Sequence, residues 1–505
     1  MNAKRLIVSL CSVLLLLANL AAQAELRLAA PFSDNMVLQQ GMLVPVWGWA
    51  DDGDVVTVKF RGQKVTVEAK DLKWCAVLRP LKAGGPDVLS VSTKHGSIQL
   101  ANVLVGEVWV CSGQSNMEFP LKNSFESGAD VVSATNARIR LFKVPKNRLD
   151  SPTVIIKSAW EELSPQSVEW FSAVGYYFGR ELQKARKVPV GLIGTYWGGT
   201  PADAWISRPA LESNPRYQAE ILDAGAVKTT EWRPAIEAFE KEKAAAEQAG
   251  KAFTKRAPGQ PWTGGELYNG MIAPLLPFAI KGAIWYQGES NAPRAEQYRS
   301  LFPDMIRCWR RSWGEPDFTF LCVQLAPFKA IKPEPAESDW AELREAQLYA
   351  TQVLPNAGMA VITDVGDEKD IHPRKKEPVG ARLALAARAI AYGEKLEYSG
   401  PIYKGVEIKG NQAILNFTHV GRGLEARGGE LKGFAICGDD RNWVWGKAEI
   451  RDGNRVVVSS PEVAKPVAVR YGWADYPVVN LWNKDGLPAS PFRTDDFPMV
   501  TARKK

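Results

Sequence analysis

From about residue 104 the chain alternates between short runs that are apolar at nearly every position and longer runs that are apolar on one face only. This alternation constrains the fold more than any other feature. The runs "VLVGEVWVC", "VPVGLIGTY", "IKGAIWY", "FTFLCVQL" and "GMAVITDV" have strand length and no polar face. They predict strands buried on both sides. Between them, Phe171, Val174, Phe178 and Leu182 recur at helical spacing behind Ser164-Pro165, a helix cap followed by a proline at the first helical position. A second helix is expected from near Pro378, with Val379, Leu383, Ala387 and Ile390 on one face and a stop at Gly393. Buried strands separated by amphipathic helices predict an α/β fold, a parallel sheet covered on both faces.

That unit does not account for 505 residues, which exceed one typical core. Residues 25–104 read as an all-β, sandwich-like domain. "DVVTVKF" alternates with period two, Arg61-Gly62-Gln63 turns into "KVTVEA", and "LVPVWGWA" and "DVLSVS" add short strands. Short strands return over 396–505, where "RDGN" at 451–454 is a hairpin turn between "KAEI" and "VVVSS". The α/β domain is thus placed at 105–395, flanked by β domains. Within it, residues 231–251 are rich in Ala, Glu and Lys and read as an exposed helix, followed by the loop "KRAPGQPWTGGE". Together they mark an insertion over about 228–262, on the side of the sheet where lids and substrate walls usually sit.

The first residues belong to none of these. Lys4 and Arg5, the apolar run "LIVSLCSVLLLLANLAA" and the small-residue site "AQA" predict an export signal cleaved near Ala24-Glu25. No later run is long and apolar enough to span a bilayer. A secreted protein, periplasmic or extracellular and without a membrane partner after cleavage, is expected. Cleavage removes two bases and no acid, taking the net charge from +7 to +5. With no basic tract, nucleic acid is not an expected partner. Cys75, Cys111, Cys308, Cys322 and Cys437 are scattered and odd in number, so they form neither a disulfide framework nor a zinc spacing. They read as buried free thiols, Cys308–Cys322 being the one pair open to oxidation.

In an open parallel sheet, sites lie at the carboxyl ends of the strands. Three strand ends carry polar, small-residue sequences: "SGQSNM" with Ser115, "YWGGTPADAW" with Gly198 and Gly199, and "YQGESN" with Gln287, Gly288, Glu289 and Asn291. A nucleophilic serine needs a base. The chain has only His95, His372 and His419; the first and last fall in the β domains and read as structural, whereas His372 follows the last α/β strand. Asp370 lies two residues before it. The arrangement predicts acyl transfer: Ser115 attacks a carbonyl, His372 moves the proton, and an acid steadies the imidazole. The N–H groups of Ser115 and Gly199, with an amide from Gln287 or Asn291, would hold the oxyanion. Three dispersed histidines form no metal cluster, and "WGGTPAD" lacks the Lys-Ser/Thr of a phosphate loop.

These motifs resemble the sialate O-acetylesterase family, within the wider SGNH (GDSL-like) hydrolases. The matching stretches are "GQSNM", "YWGGTPADAW", "LYNGMIAPL", "IWYQGESN", "LREAQ", "DIHP", "AVRYGWAD" and "GLPASPFRTDDF", spread over the whole mature chain. The resemblance implies a flavodoxin-like, three-layer α/β/α catalytic domain and hydrolysis of O-acetyl esters on sugars, typically sialic acid, without metal or cofactor. It makes Ser115 the nucleophile and His372 the base. The wider pattern puts the acid three residues before the histidine, where this chain has Lys369, so Asp370 and the Glu289 of "QGE" both stand as the acid. A sialate site needs a cation for the substrate carboxylate; Arg294, Arg344 and Lys329 are the candidates, and Gln114 is a further candidate substrate contact. Esterases of acetylated xylan or other plant glycans are the competing reading within the class. A non-catalytic carbohydrate-binding protein, suited by 18 tryptophans, and a lipase- or thioesterase-type SGNH enzyme are the readings outside it.

Overall fold

A computed structural model describes residues 25–502. The expected export signal, with Cys11, lies outside the described residues. Seven strands form the central sheet: β1 (Ser97–Gly113), β2 (Asn136–Lys143), β3 (Trp160–Leu163), β4 (Val190–Tyr196), β5 (Gly282–Tyr286), β6 (Thr319–Val323) and β7 (Ala357–Ala360). They lie in the order β3-β2-β4-β1-β5-β6-β7. All neighbours are parallel except β3, which pairs antiparallel with β2. The five strands expected from the sequence therefore run 2-1-3-4-5 in their own chain order, the flavodoxin-like arrangement. β2 and β3 extend the sheet beyond β4.

Alternation along β1 shows why its sequence is continuously apolar. Val108 and Val110 enter one core cluster, and Trp109 and Cys111 enter the other, on the opposite face. Helices α2 (Ala173–Arg186) and α6 (Glu377–Ile390) pack together on the second face through Val174, Phe178, Leu182, Val379, Leu383 and Ala387. Helices α4 (Ala295–Trp313) and α5 (Asp339–Val353) pack together on the first. Burial on both faces is what a parallel sheet requires.

The structure departs from the sequence reading in three places. The boundary at 104 falls inside β1, whose first half pairs antiparallel with Gly84–Ser92 of the N-terminal β region and whose second half lies between β4 and β5. One continuous strand thus joins the two regions. The helix expected from Ser164 is two helices. Ser164 caps only Pro165–Val168, with a reciprocal bond to Ser167. The carbonyls of Glu169 and Phe171 then accept from Lys122 and Leu121, and Ser172, bonded to the Gly175 N–H, starts the longer helix. Among the cysteines, Cys308 and Cys322 are both free thiols, Cys308 sitting 3.3 Å from the Ser207 hydroxyl, and Cys75 is exposed, not buried.

The expected exposed helix is Ala224–Gln248 (α3), with only Gly225 buried. The loop after it returns Trp262 against Trp197, ring centroids 5.3 Å apart. In the C-terminal region, Lys447–Arg451 and Arg455–Ser459 form the expected hairpin within a four-stranded sheet. A second four-stranded sheet faces it across a core that includes Leu415, Val458, Ile436 and Tyr471. The region is tied to the α/β region by Arg493–Glu345 and Arg470–Glu337, each at 2.8 Å.

Candidate active site

The chain leaves the sheet in opposite directions from β1, toward β4 on one side and β5 on the other, which opens a crevice at their carboxyl ends. β1 ends at Gly113, with φ of +136°. A Cβ there would stand 2.2 Å from the Tyr286 carbonyl oxygen, so a side chain would force β1 and β5 apart. The short helix α1 (Ser115–Glu118) follows at once and places Ser115 at its first position. Ser115 Oγ lies 2.8 Å from His372 Nε2, although 257 residues separate them. The small residues after the apolar strand therefore turn a hydroxyl out toward an imidazole.

His372 rides the loop after β7. Its backbone N–H donates to Asp370 Oδ1 at 2.8 Å, and the same oxygen is 3.6 Å from Nδ1. Glu289 begins the turn after β5 and is enclosed beneath the histidine loop. Its Oε1 accepts from Asn116 Nδ2 at 2.5 Å, and its Oε2 has no hydrogen-bond partner among the described residues. Burial raises its carboxyl above the ordinary value, opposed first by its own backbone N–H, then by the Asn116 bond and the charges of Lys376 and His372. Gly199, with φ of +74°, sits in the turn after β4, and its N–H makes no hydrogen bond among the described residues. Ser115, at the start of α1, and Gly199 thus stand at the ends of the neighbouring strands β1 and β4.

Several expected contacts are elsewhere. Gln287 and Asn291 are fully buried and bonded to each other at 2.6 Å. The Gln287 amide also donates to Thr200 O, and the Asn291 amide reaches Asp203. They brace the turns after β4 and β5, and the Gln287 donors are spent there and not on an oxyanion. Gln114 is buried, with its side-chain carbonyl facing the N–H groups of Gly288 and Ser290 at 3.4 and 3.3 Å; it braces the same turn. Arg344 does not face the crevice as a substrate contact: it is wholly buried, and its guanidinium donates to the carbonyls of Leu325, Ala326, Ala474 and Asp475. Lys329 is committed to Asp339 and Asp475, both at 3.2 Å. Arg294 is half-buried and paired with Asp203 at 3.1 Å.

Three residues that the sequence reading passed over stand in the site. Glu118 Oε2 accepts from the Gly198 N–H at 2.7 Å, and its Oε1 pairs with Lys146 at 2.5 Å. A Cβ on Gly198 would lie 3.2 Å from Ser115 Cβ, so this pair lies beside the serine. Lys146 also faces the Trp197 ring at 5.5 Å. Lys376, in the charged stretch "PRKKEP", is buried. Spacing held the clue: 376, 379 and 383 share one helical face, and Val379 and Leu383 are core residues. Glu118 is three residues beyond Ser115 on one helical turn, a position that only the fold makes meaningful. Among the described residues no cluster of three or more His, Cys, Asp or Glu could hold a metal, and no helix is long and apolar enough to cross a membrane.

Residues 248–388 match the family model for the carbohydrate esterase, sialic acid-specific acetylesterase domain. The chain is similar over its length to a solved carbohydrate acetylesterase from Xanthomonas citri, at 40% identity and a TM-score of 0.81, covering 93% of this chain and 100% of that one. The fold and these matches define a carboxylic ester hydrolase that deacetylates carbohydrates. The sialate O-acetylesterase of Mus musculus is 31% identical over 95% of this chain and 96% of its own length. That of Homo sapiens is 30% identical over 97% of each. The chain belongs to the sialate O-acetylesterase family.

Proposed function

We propose that this protein is an exported serine esterase that removes acetyl groups from sialic acids, with Ser115 as nucleophile and His372 as base. The 2.8 Å contact between Ser115 Oγ and His372 Nε2 carries the reading. Oγ attacks the acetyl carbonyl as Nε2 takes its proton, and the carbonyl electrons move onto oxygen, toward the N–H groups of Ser115 and Gly199. Collapse breaks the bond to the sugar oxygen, which receives the proton from His372 and leaves as the alcohol. Water then attacks the acetyl-serine, with His372 again as base, and acetate is released. Each oxyanion donor is worth roughly 10²–10³-fold in turnover. Asp370 is the carboxylate nearest Nδ1, and Glu289 contributes negative charge from below the same loop. Lys146, paired with Glu118 and facing the Trp197 ring, is the cation next to the Gly198 turn that flanks Ser115. It is the candidate to meet an anionic sugar even though, like Arg294 and Lys329, it already holds a carboxylate.

A broader reading, an esterase of acetylated xylan or other plant glycans, is favoured by one observation: the relative at 40% identity is described only as a carbohydrate acetylesterase. Acetate release from 9-O-acetylated sialic acid and from acetylated xylo-oligosaccharide, measured side by side with wild type and Ser115→Ala, separates the two. Serine-dependent release from the sialic acid alone is expected. Release from the xylo-oligosaccharide alone refutes the sialate assignment, and undiminished release by Ser115→Ala refutes the serine mechanism.

A further inference from the structure

Glu289 ends a polar chain whose other members, Asn116 and Lys376, the reaction as written does not use. Lys376 Nζ donates to Asn116 Oδ1 at 2.5 Å, and Asn116 Nδ2 donates to Glu289 Oε1 at 2.5 Å and to the Ile371 carbonyl at 3.0 Å. Asn116 and Lys376 are both buried. The amide is fully satisfied in only one orientation, oxygen to the ammonium and nitrogen to the carboxylate, so a cation and an anion are joined through a neutral bridge. The three members come from three separate segments: the nucleophile helix, the turn after β5 and the loop carrying His372. Ile371 directly precedes His372, so the same amide that joins the charges also holds the base.

The electrostatic surroundings leave Lys376 as the principal counter-charge. Glu289 is faced by Tyr286 of β5, Tyr298 of α4, His372 and Lys376. Lys376 is faced by Glu289 and Asp370, and by the rings of Phe119 and Tyr286 at 4.8 and 5.3 Å. Arg344 interacts with Tyr286, but its donors are taken by backbone carbonyls. Glu289 is only partly exposed and its Oε2 is buried without a hydrogen-bond partner among the described residues, which is costly for a carboxylate unless a cation stands close. Burial likewise pulls the Lys376 ammonium down to about 7, against the opposing pull of Glu289 and Asp370.

We propose that Lys376 is a positioning residue of the esterase: through Asn116 its ammonium keeps Glu289 ionised beneath His372 and locks the histidine loop onto the nucleophile helix. This rests on the serine–histidine reading above. Its sign is fixed by elementary electrostatics. Removing the cation that faces Glu289 leaves that carboxylate's charge on the imidazole uncompensated, so the pair holds its proton to higher pH, and because kcat/KM requires the unprotonated base the acid limb must move up. A purely structural lysine would lower activity without moving that limb.

The test compares pH profiles of kcat/KM on p-nitrophenyl acetate for wild type, Lys376→Met and the double variant Glu289→Gln/Lys376→Met, with urea denaturation of each. Lys376→Met is expected to raise the acid limb by about one pH unit or more, a roughly tenfold loss below it, and to lower stability. The double variant has no net charge change at the site, so its limb should return toward wild type and it should be more stable than Lys376→Met even if kcat stays low. An unmoved limb in folded Lys376→Met overturns the proposal. Should that variant not fold, a double variant that is no more stable overturns it instead. Hydrolysis retained by Ser115→Ala would overturn the underlying serine mechanism as well, which distinguishes the two failures.

Discussion

Replacing Gly113 with alanine tests whether the close approach of β1 and β5 builds the site. Gly113 has φ of +136°, and an added Cβ would stand 2.2 Å from Tyr286 O. Backbone strain of this kind costs roughly 1–3 kcal/mol for a residue with a side chain. Relieving the overlap requires about 1 Å of separation between the strand ends, given ordinary contact distances of about 3.5 Å, and overpacking of this size costs about 1–3 kcal/mol. Gly113→Ala should therefore be destabilised by about 2–6 kcal/mol. The displacement falls between Ser115, two residues on, and Glu289, three residues beyond Tyr286. A misplacement of about 1 Å costs on the order of 10²-fold in rate. Urea midpoints report the first effect, and kcat on p-nitrophenyl acetate the second. A variant with wild-type midpoint and wild-type kcat would refute the claim that this contact sets the nucleophile.

Arg344→Met should leave the carbonyls of Leu325, Ala326, Ala474 and Asp475 without their donor, a loss on the order of 3–5 kcal/mol. Faster proteolysis between the catalytic and C-terminal regions would show it, and unchanged urea stability and proteolysis would refute it. Glu315 supplies a pH dependence, because burial raises its carboxyl to about 7 despite Lys281. Its folded-state value lies above the unfolded one, so stability is full below about pH 4 and falls as pH rises toward 7. Glu315→Gln should therefore be more stable than wild type above pH 7 and equal to it below about pH 4 in urea titrations. The two candidate acids separate kinetically: whichever of Asp370→Asn and Glu289→Gln removes the dominant partner of His372 should lose far more kcat, on the order of 10⁴-fold by the handling of such triads, and equal small losses would refute a dominant acid.

Much of this protein is determined locally, and the sequence states it. Whether a segment is buried on one face or two is written in its own periodicity, which is why the five strands, α6 and the 451–454 hairpin are legible without a structure. The chemistry is partly legible for the same reason. Ser115, Gly199 and Glu289 follow strand ends, and His372 is the one histidine outside the β regions, so candidate roles follow from position along the chain. What periodicity does not encode is which distant segment lies beside which. The 2-1-3-4-5 order, the meeting of Ser115 with His372, and the passage of β1 through the boundary at 104 depend on contacts between residues far apart in sequence. Polar residues suffer most from this, because an amide or a cation looks the same whether it faces solvent or a carbonyl. Gln287, Asn291 and Arg344 resemble substrate contacts in sequence but bind protein groups, and Lys376 resembles surface charge but is buried. Their roles were decided by the tertiary structure, which alone sets how many of each group's hydrogen bonds are already satisfied.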